Sequence, residues 1–210
     1  SVTVIPQVKN IGFGSAVNQA AKNVTTEFLI LCNPDVFVTQ DAVKKLLCDA
    51  TTCGSDIVSP HSGSRTDYYV PRYSTVEQSL VICKDHQQQS IIIPTFDFVI
   101  LKNDLFRCID GFDSLFFMYG EDIDFILRAY QRRPSCSISF LNIPYSHLGG
   151  ASYVGSYRKI VRFFESYKSH LKLLRKHSWG GVIKCAWYSF ILTYPKLFRG
   201  YAALSLIFKK

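Results

Sequence analysis

Strand-like and helix-like segments alternate over residues 2–58, which limits the chain to a small set of folds. Residues 2–5 and 28–32 have the apolar, β-branched character of strands, and residues 57–58 look like a third. A glycine-bearing turn leads into a helix that we expect to begin at Ser15, and Thr39 is placed to cap a second helix. The order β-α-β-α-β predicts an α/β fold with a mainly parallel sheet covered by helices.

One acidic residue lies directly behind the predicted strand at residues 28–32, in the tripeptide Asn33-Pro34-Asp35. Open α/β sheets bind ligands outside the carboxyl ends of their strands, so Asp35 is well placed to hold a metal ion or a diphosphate. Asn-Pro and Pro-Asp also form turns readily, and a plain turn explains the tripeptide about equally well.

A second acidic cluster, Glu121-Asp122-Ile123-Asp124, follows Gly120 at the start of a predicted helix. The positive end of the helix dipole keeps such carboxylates ionised. Asp124 lies four residues before Arg128, a spacing typical of a surface ion pair, whereas Asp122 lies at the edge of the buried face and is the better candidate for a base. Helix-start acids without any chemistry are the alternative.

Two more polar loops are expected at the same edge of the sheet. The first is Asn10-Ile11-Gly12-Phe13-Gly14, and the second is Pro144-Tyr145-Ser146-His147. The imidazole of His147 can complete a metal site with a carboxylate, although a single loop histidine more often only forms hydrogen bonds. The sequence predicts that four polar loops converge.

Charge is distributed unevenly along the 210 residues. Residues 1–149 carry 12 Lys and Arg against 15 Asp and Glu, whereas residues 150–210 carry 12 against 1. Such a basic region meets phosphate, nucleic acid or an anionic membrane, or is simply a solvated helix. Because no DNA- or RNA-binding motif is present, we predict no nucleic-acid partner. The longest uncharged run of the tail, residues 185–195, is too short to cross a bilayer and fits a membrane surface better.

The cysteines and the first residues bear on location. Seven cysteines without a Cys-x-x-Cys pair favour reduced thiols. The first residues do not resemble a signal peptide. We therefore expect a cytoplasmic protein, peripheral at the inner face of the cell membrane.

Four motifs in order resemble a known family. They are Asn10-x-Gly12-Phe13-Gly14-x-Ala16-x-Asn18, Asn33-Pro34-Asp35, the stretch from Gly111-Phe112-Asp113 through Glu121-Asp122-x-Asp124 to Arg128, and His147-x-x-Gly150-x-Ser152. Over roughly residues 2–175 the chain is similar to family 2 glycosyltransferases of the GT-A fold, especially the bacterial rhamnosyltransferase-like members that build O-antigen and other surface polysaccharides.

The resemblance implies inverting transfer of rhamnose or a similar deoxysugar from a dTDP- or UDP-linked donor to a lipid-linked glycan acceptor. Asp35 would hold Mg²⁺ or Mn²⁺, with His147 as a further ligand. Asp122 would be the general base, assisted or replaced by Glu121. The nucleotide-sugar would be bound by Asn10, Gly12, Phe13, Asn18, Asn33 and Arg158.

The chain departs from the family pattern at two places. The usual first strand, with its base-binding acid, is apparently missing, and Phe96 takes the place of a glycine. We expect a catalytic domain at residues 1–155, a basic amphipathic helix at 156–178 and an aromatic, basic, membrane-surface tail at 179–210. A catalytically inactive GT-A domain that acts as a membrane-associated binding module is the alternative.

Overall fold

The computed structural model describes residues 3–60, 70–76, 79–83, 90–148, 156–177, 182–193 and 206–207. The helices are α1 (Phe13–Ala21), α2 (Gln40–Cys53), α3 (Asn103–Cys108), α4 (Glu121–Arg132), α5 (Ser156–His177) and α6 (Val182–Thr193). The strands are β1 (Phe28–Cys32), β2 (Val36–Phe37), β3 (Ile57–Pro60), β4 (Val70–Ser74), β5 (Ser79–Cys83), β6 (Ser90–Ile92), β7 (Phe98–Lys102), β8 (Ile138–Leu141), β9 (Ser146–His147) and β10 (Leu206–Ile207).

The central sheet has four strands in the order β1-β7-β3-β8. Strand β7 is antiparallel to both of its neighbours, and β3 is parallel to β8. Strands β1, β3 and β8 therefore run in one direction. Strand β7 lies between β1 and β3 and runs in the opposite direction. This confirms the predicted α/β class, and it adds a reversed strand that the alternation of elements did not predict.

Side chains of β7 alternate between two hydrophobic clusters on opposite faces of the sheet. Val99 and Leu101 belong to the larger cluster, and Phe98 and Ile100 to the smaller one. Such alternation follows from the two-residue repeat of a strand, and a strand buried on both faces reads as a continuous apolar run. The sheet is thus the middle layer, with helices packed on both faces.

Helix α2 covers the face with the smaller cluster. The hydroxyl of Thr39 accepts a hydrogen bond of 3.2 Å from the backbone N–H of Ala42, which confirms the predicted cap. Leu46 and Ala50 of α2 are fully buried, whereas the neighbouring Leu47 is 40% exposed. One helical stripe of α2 therefore supplies the packing.

Two predicted elements are wrong. The helix expected around residues 75–83 is not formed by the described residues of this segment, because Val70–Ser74 and Ser79–Cys83 form antiparallel strands of a second sheet, ordered β10-β5-β4-β6. The run Leu80-Val81-Ile82 suits a strand, since β-branched side chains fit a pleated surface. The strand expected at residues 2–5 is not formed at residues 3–5, where Val4 is 79% exposed, because no strand of the described residues pairs with this segment.

Helix α5 carries basic side chains into the body of the protein. Asp124, which is fully buried, lies 2.7 Å from Arg128 Nε and 2.6 Å from both Lys176 Nζ and His177 Nε2. Despite its burial, these partners lower the pKa of Asp124 to about 2. The predicted pair of Asp124 with Arg128 exists, but it is buried rather than on the surface, and part of the basic charge of α5 neutralises the acidic body.

Alanine substitutions at Leu46 and Leu47 should differ in their effect on the free energy of unfolding, because Leu46 lies in the buried stripe of α2 and Leu47 at its partly exposed edge. Leu46→Ala leaves a cavity under the sheet and is expected to lower the free energy of unfolding by about 2–5 kcal/mol. The partly exposed Leu47→Ala, one position away, should cost less than about 1 kcal/mol. Urea unfolding measures both variants, and equal losses would contradict the observed orientation of α2.

Candidate active site

The end of β1 meets the beginning of β7, and this contact builds one side of the site. Cys32 is paired with Phe98 across the two strands, so the residues after Cys32 lie beside those before Phe98. The backbone N–H of Asn33 donates to the carbonyl of Asp97 at 2.8 Å, and the N–H of Val36 closes a turn on the carbonyl of Asn33 at 3.1 Å. The tripeptide at residues 33–35 is thus a turn at the sheet edge, as predicted.

His147 is brought to this turn by a two-stranded ribbon. Strand β2, which directly follows Asp35, pairs with β9 so that Val36 lies opposite His147, and the N–H of Leu148 donates to the carbonyl of Asp35 at 3.1 Å. As a result, His147 Nε2 lies 3.2 Å from Asp35 Oδ1. Two residues 112 positions apart in the chain, both predicted as metal ligands, are brought together.

Asp97 is a member of this cluster that the sequence reasoning missed. Its Oδ2 lies 2.9 Å from His147 Nδ1 and accepts a 3.2 Å hydrogen bond from the hydroxyl of Tyr145. Its Oδ1 accepts a 2.5 Å hydrogen bond from the hydroxyl of Thr95. An acid directly before an apolar strand was the available signal, but only the reversed direction of β7 brings that acid to the end of β1.

The arrangement of Asp35 and His147 fits a divalent cation held by two protein side chains. Carboxylate oxygen and imidazole nitrogen are both ligands of Mn²⁺ and related metals. The separation of 3.2 Å is close to the roughly 3.0 Å between neighbouring ligands of an octahedral ion with bonds of about 2.1 Å. Within the described residues, no group of three or more His, Cys, Asp or Glu side chains could hold a metal ion. Oxygens of a bound diphosphate would have to complete the coordination.

The glycine turn before α1 packs against the loop that leads to the second acidic cluster. The N–H of Gly12 donates to Asn10 Oδ1 at 2.9 Å, and the N–H of Phe13 donates to the carbonyl of Phe117 at 3.1 Å. Gly12 has φ +85°, and a Cβ there would overlap the carbonyl oxygen of Phe117. Glycine is therefore required at position 12 on two grounds, backbone conformation and close approach.

Asn18 has a structural contact rather than an open amide. Its Nδ2 donates to the carbonyl of Phe112 at 2.7 Å, and its Oδ1 accepts from the N–H of Phe112 at 2.8 Å. Asn18 borders a cleft of about 800 Å³ that is also lined by Arg107 and Arg128, and neither Asp35 nor Asp122 lines this cleft. The side chain of Arg158 lies outside the described part of the structure.

Glu121 and Asp122 begin α4 after Gly120, which adopts the left-handed conformation at φ +80°. Asp122 Oδ1 accepts a 2.8 Å hydrogen bond from the N–H of Ile123. The Oε2 atom of Glu121 is buried and has no hydrogen-bond partner among the described residues. Burial, and then the charge of Asp122, raise the pKa of Glu121 to about 8.

The segment at residues 95–97 contacts both His147 and helix α4. While Asp97 contacts His147, the ring of Phe96 packs edge-on against Phe112 and Phe125, at centroid distances of 5.8 and 5.2 Å. Phe125 belongs to α4, the helix that begins with Glu121. Phe96 thus packs in the core between helix α4 and the sheet edge.

The chain matches one protein-family model and resembles a solved structure. The sequence model described as "Glycosyl transferase family 2" matches residues 1–111, which is more than half of the chain. Among solved structures, the crystal structure of S. aureus TarS 1-349 resembles the chain at 16% identity and a TM-score of 0.46. The match covers 90% of this chain and 51% of that one, so this chain spans about half the length of that structure.

The search of curated proteins finds no match. None of the helices in the described part of the chain combines the length and apolar character that spanning a membrane requires. By the match to more than half of its residues, the chain belongs to glycosyl transferase family 2.

Proposed function

We propose that this chain catalyses inverting transfer of a sugar from a nucleotide-activated donor to an acceptor hydroxyl. The observation that carries the proposal is the pairing of Asp35 with His147 at the end of β1, where a family 2 enzyme needs to hold a donor diphosphate. A divalent cation bound there, Mg²⁺ or Mn²⁺, supplies positive charge to the departing nucleoside diphosphate. Asp35 and His147 are the protein groups that would hold it.

The donor is positioned by the turn residues around this pair. Gly12 would allow the backbone to approach a nucleotide closely, with Asn10 and Phe13 beside it in the glycine turn, and Asn33 would contact the donor from the turn that carries Asp35. The contacts of Asn18 favour a supporting role, in which it fixes the loop at Phe112. Arg158 remains a proposed phosphate contact.

Asp122 is the proposed general base for the acceptor hydroxyl. Base catalysis requires an ionised carboxylate, and the raised pKa of Glu121 leaves that neighbour largely protonated at neutral pH. Glu121 then assists as a neutral neighbour rather than replacing Asp122.

The finer assignment rests on the resemblance of the four motifs. It names rhamnose or a similar deoxysugar as the transferred group, dTDP or UDP as the carrier, and a lipid-linked glycan of surface polysaccharide synthesis, such as O-antigen, as the acceptor. In this proposal the chain is a peripheral enzyme that meets its donor and acceptor at the cytoplasmic face of the membrane.

An exposed aromatic cluster on α5 and α6 supports a membrane-surface role for the tail. The rings of Phe163, Phe164, Trp187 and Phe190 contact one another in a chain, and Phe164 and Trp187 are 52% and 50% exposed. Half-exposed aromatic rings beside lysine and arginine suit the boundary of an anionic bilayer.

Asp122→Asn is expected to lower turnover of a nucleotide-sugar with Mn²⁺ by about 10²–10⁴-fold, because it removes the proton acceptor. Nucleoside diphosphate release, assayed across dTDP- and UDP-linked donors, measures this loss. Asp110→Asn, an exposed change of the same kind, should leave the rate unchanged. Full activity of Asp122→Asn would eliminate Asp122 as the base. A wild-type chain that binds nucleotide and turns over no donor would support the inactive binding module instead.

Glu121→Gln should alter the pH dependence of stability. Because the pKa of Glu121 is raised in the folded state, the stability it contributes is fully present below its unfolded pKa of about 4.3 and is lost as pH rises through about 8. The melting temperature of the wild type should therefore fall relative to that of Glu121→Gln as the pH is raised from 5 to 8.5. Glu27→Gln, at an exposed position, serves as the control, and parallel profiles for all three proteins would contradict the burial of Glu121.

Phe164→Ser combined with Trp187→Ser should weaken binding to vesicles of phosphatidylglycerol and phosphatidylcholine by about tenfold or more. The reason is the loss of two side chains, each worth about 1.5–3 kcal/mol when fully buried. Flotation measures the bound fraction. Leu115→Ser, at a residue 43% exposed on the body, is the control, and undiminished flotation of the double variant would exclude this surface as the anchor.

A further inference from the structure

The carboxylate of Asp97 is buried and held at both oxygens. The residue is 7% exposed, Thr95 donates to Oδ1, and Tyr145 donates to Oδ2 beside His147 Nδ1. The carbonyl of the same residue accepts from the N–H of Asn33. Asp97 is thereby fixed by its side chain and its backbone, and it cannot swing away from the imidazole without breaking several hydrogen bonds.

This contact bears on which nitrogen of His147 carries the proton. His147 Nδ1 lies 2.9 Å from a carboxylate that can only accept, so the contact favours the tautomer with the proton on Nδ1 and the lone pair on Nε2. Nε2 faces Asp35 Oδ1, a second acceptor, at 3.2 Å. An Nε2 lone pair and a carboxylate oxygen that face each other at this distance form an arrangement that a shared divalent cation would stabilise.

We propose that Asp97 is a positioning residue that orients His147 and fixes its tautomer so that Nε2 and Asp35 can bind one divalent cation. The inference rests on the metal-dependent transfer proposed above. Buried carboxylates that accept from a histidine ligand raise its basicity and hold its ring in place. Asp97 does so here from the first residue before β7.

Asp97 acts through His147 and is not itself a ligand. The two nitrogens of one imidazole point in divergent directions, and Asp35 and Asp97 lie on different nitrogens. A cation held by Nε2 and Asp35 would therefore lie on the far side of the ring from Asp97. Thr95 and Tyr145 donate to the two oxygens of Asp97 and hold its carboxylate in place.

The test measures Mn²⁺ affinity of the whole chain in the presence of UDP, by the electron paramagnetic resonance signal of free Mn²⁺. Asp97→Asn keeps the shape but loses the charge, and it should weaken Mn²⁺ binding by about 10–100-fold. Thr95→Val keeps Asp97 and removes one of its hydrogen bonds, so it should weaken binding by about fivefold. Asp110→Asn should have no effect.

A second readout separates positioning from general damage to the fold. Calorimetric titration of UDP without metal should give the same affinity for wild type, Asp97→Asn and Thr95→Val, because Asp97 is proposed to act only through the metal ligand. If Asp97→Asn fails to fold, Thr95→Val alone must show the weaker Mn²⁺ binding.

The outcomes distinguish this inference from the function on which it rests. Loss of Mn²⁺ affinity in His147→Ala with no change in Asp97→Asn and Thr95→Val would overturn the role of Asp97 and leave the metal site intact. Unchanged Mn²⁺ affinity in both Asp35→Ala and His147→Ala would overturn the metal site itself, and the role of Asp97 with it. Equal weakening of metal-free UDP binding would show a merely structural role and overturn the proposal.

Discussion

The reversed strand β7 is the constraint on which the rest of the structure depends. Lying between β1 and β3 and antiparallel to both, it supplies apolar side chains to the cores on both faces of the sheet. Its direction also places its first residues, rather than its last, at the carboxyl end of β1. A parallel β7 would carry Asp97 to the opposite edge, and the contact between Asp97 and His147 would not exist.

Charge is the second organising interaction, and it operates inside the protein. Helix α5 sends Lys176 and His177 to the buried Asp124, and Ser169 donates to the carbonyl of Met118 at 2.7 Å, in the loop before α4. Arg128 of α4 donates to the carbonyls of Ile109 and Gly111 on the other side. The loop at residues 109–120 is thus held by α5 near its end and by Arg128 near its beginning. These contacts fix where α4 begins.

The neighbouring acids of α4 illustrate how burial divides similar residues among different roles. Arg128, Lys176 and His177 contact Asp124 and its pKa is lowered to about 2, whereas burial and the charge of Asp122 raise the pKa of Glu121 to about 8. Opposite charges stabilise the ionised form, and desolvation with a like charge disfavours it. Two carboxylates three residues apart therefore differ in protonation because of what packs around each of them.

Local signals in the sequence were enough to place most elements of the α/β body. Thr39 before an apolar stripe predicted α2, the apolar run at residues 28–32 predicted β1, and Gly120 before the acids predicted the start of α4. The motifs also identified the family, because each depends on residues close together in the chain. The segment at residues 75–83 was misjudged, since a short apolar run fits a helix as well as a strand until a partner strand is known.

Only the tertiary structure decided which distant residues meet. Asp35 meets His147 because β2 pairs with β9, and these two-residue strands are too short to leave a recognisable pattern in the sequence. Asp97 reaches His147 because β7 runs antiparallel to β1. The burial of Glu121 and Asp124 likewise depends on the packing of α4 and α5. Residue type and spacing thus determined the kinds of chemistry available to this chain, whereas strand direction and burial determined which groups share a site and which of them carry charge.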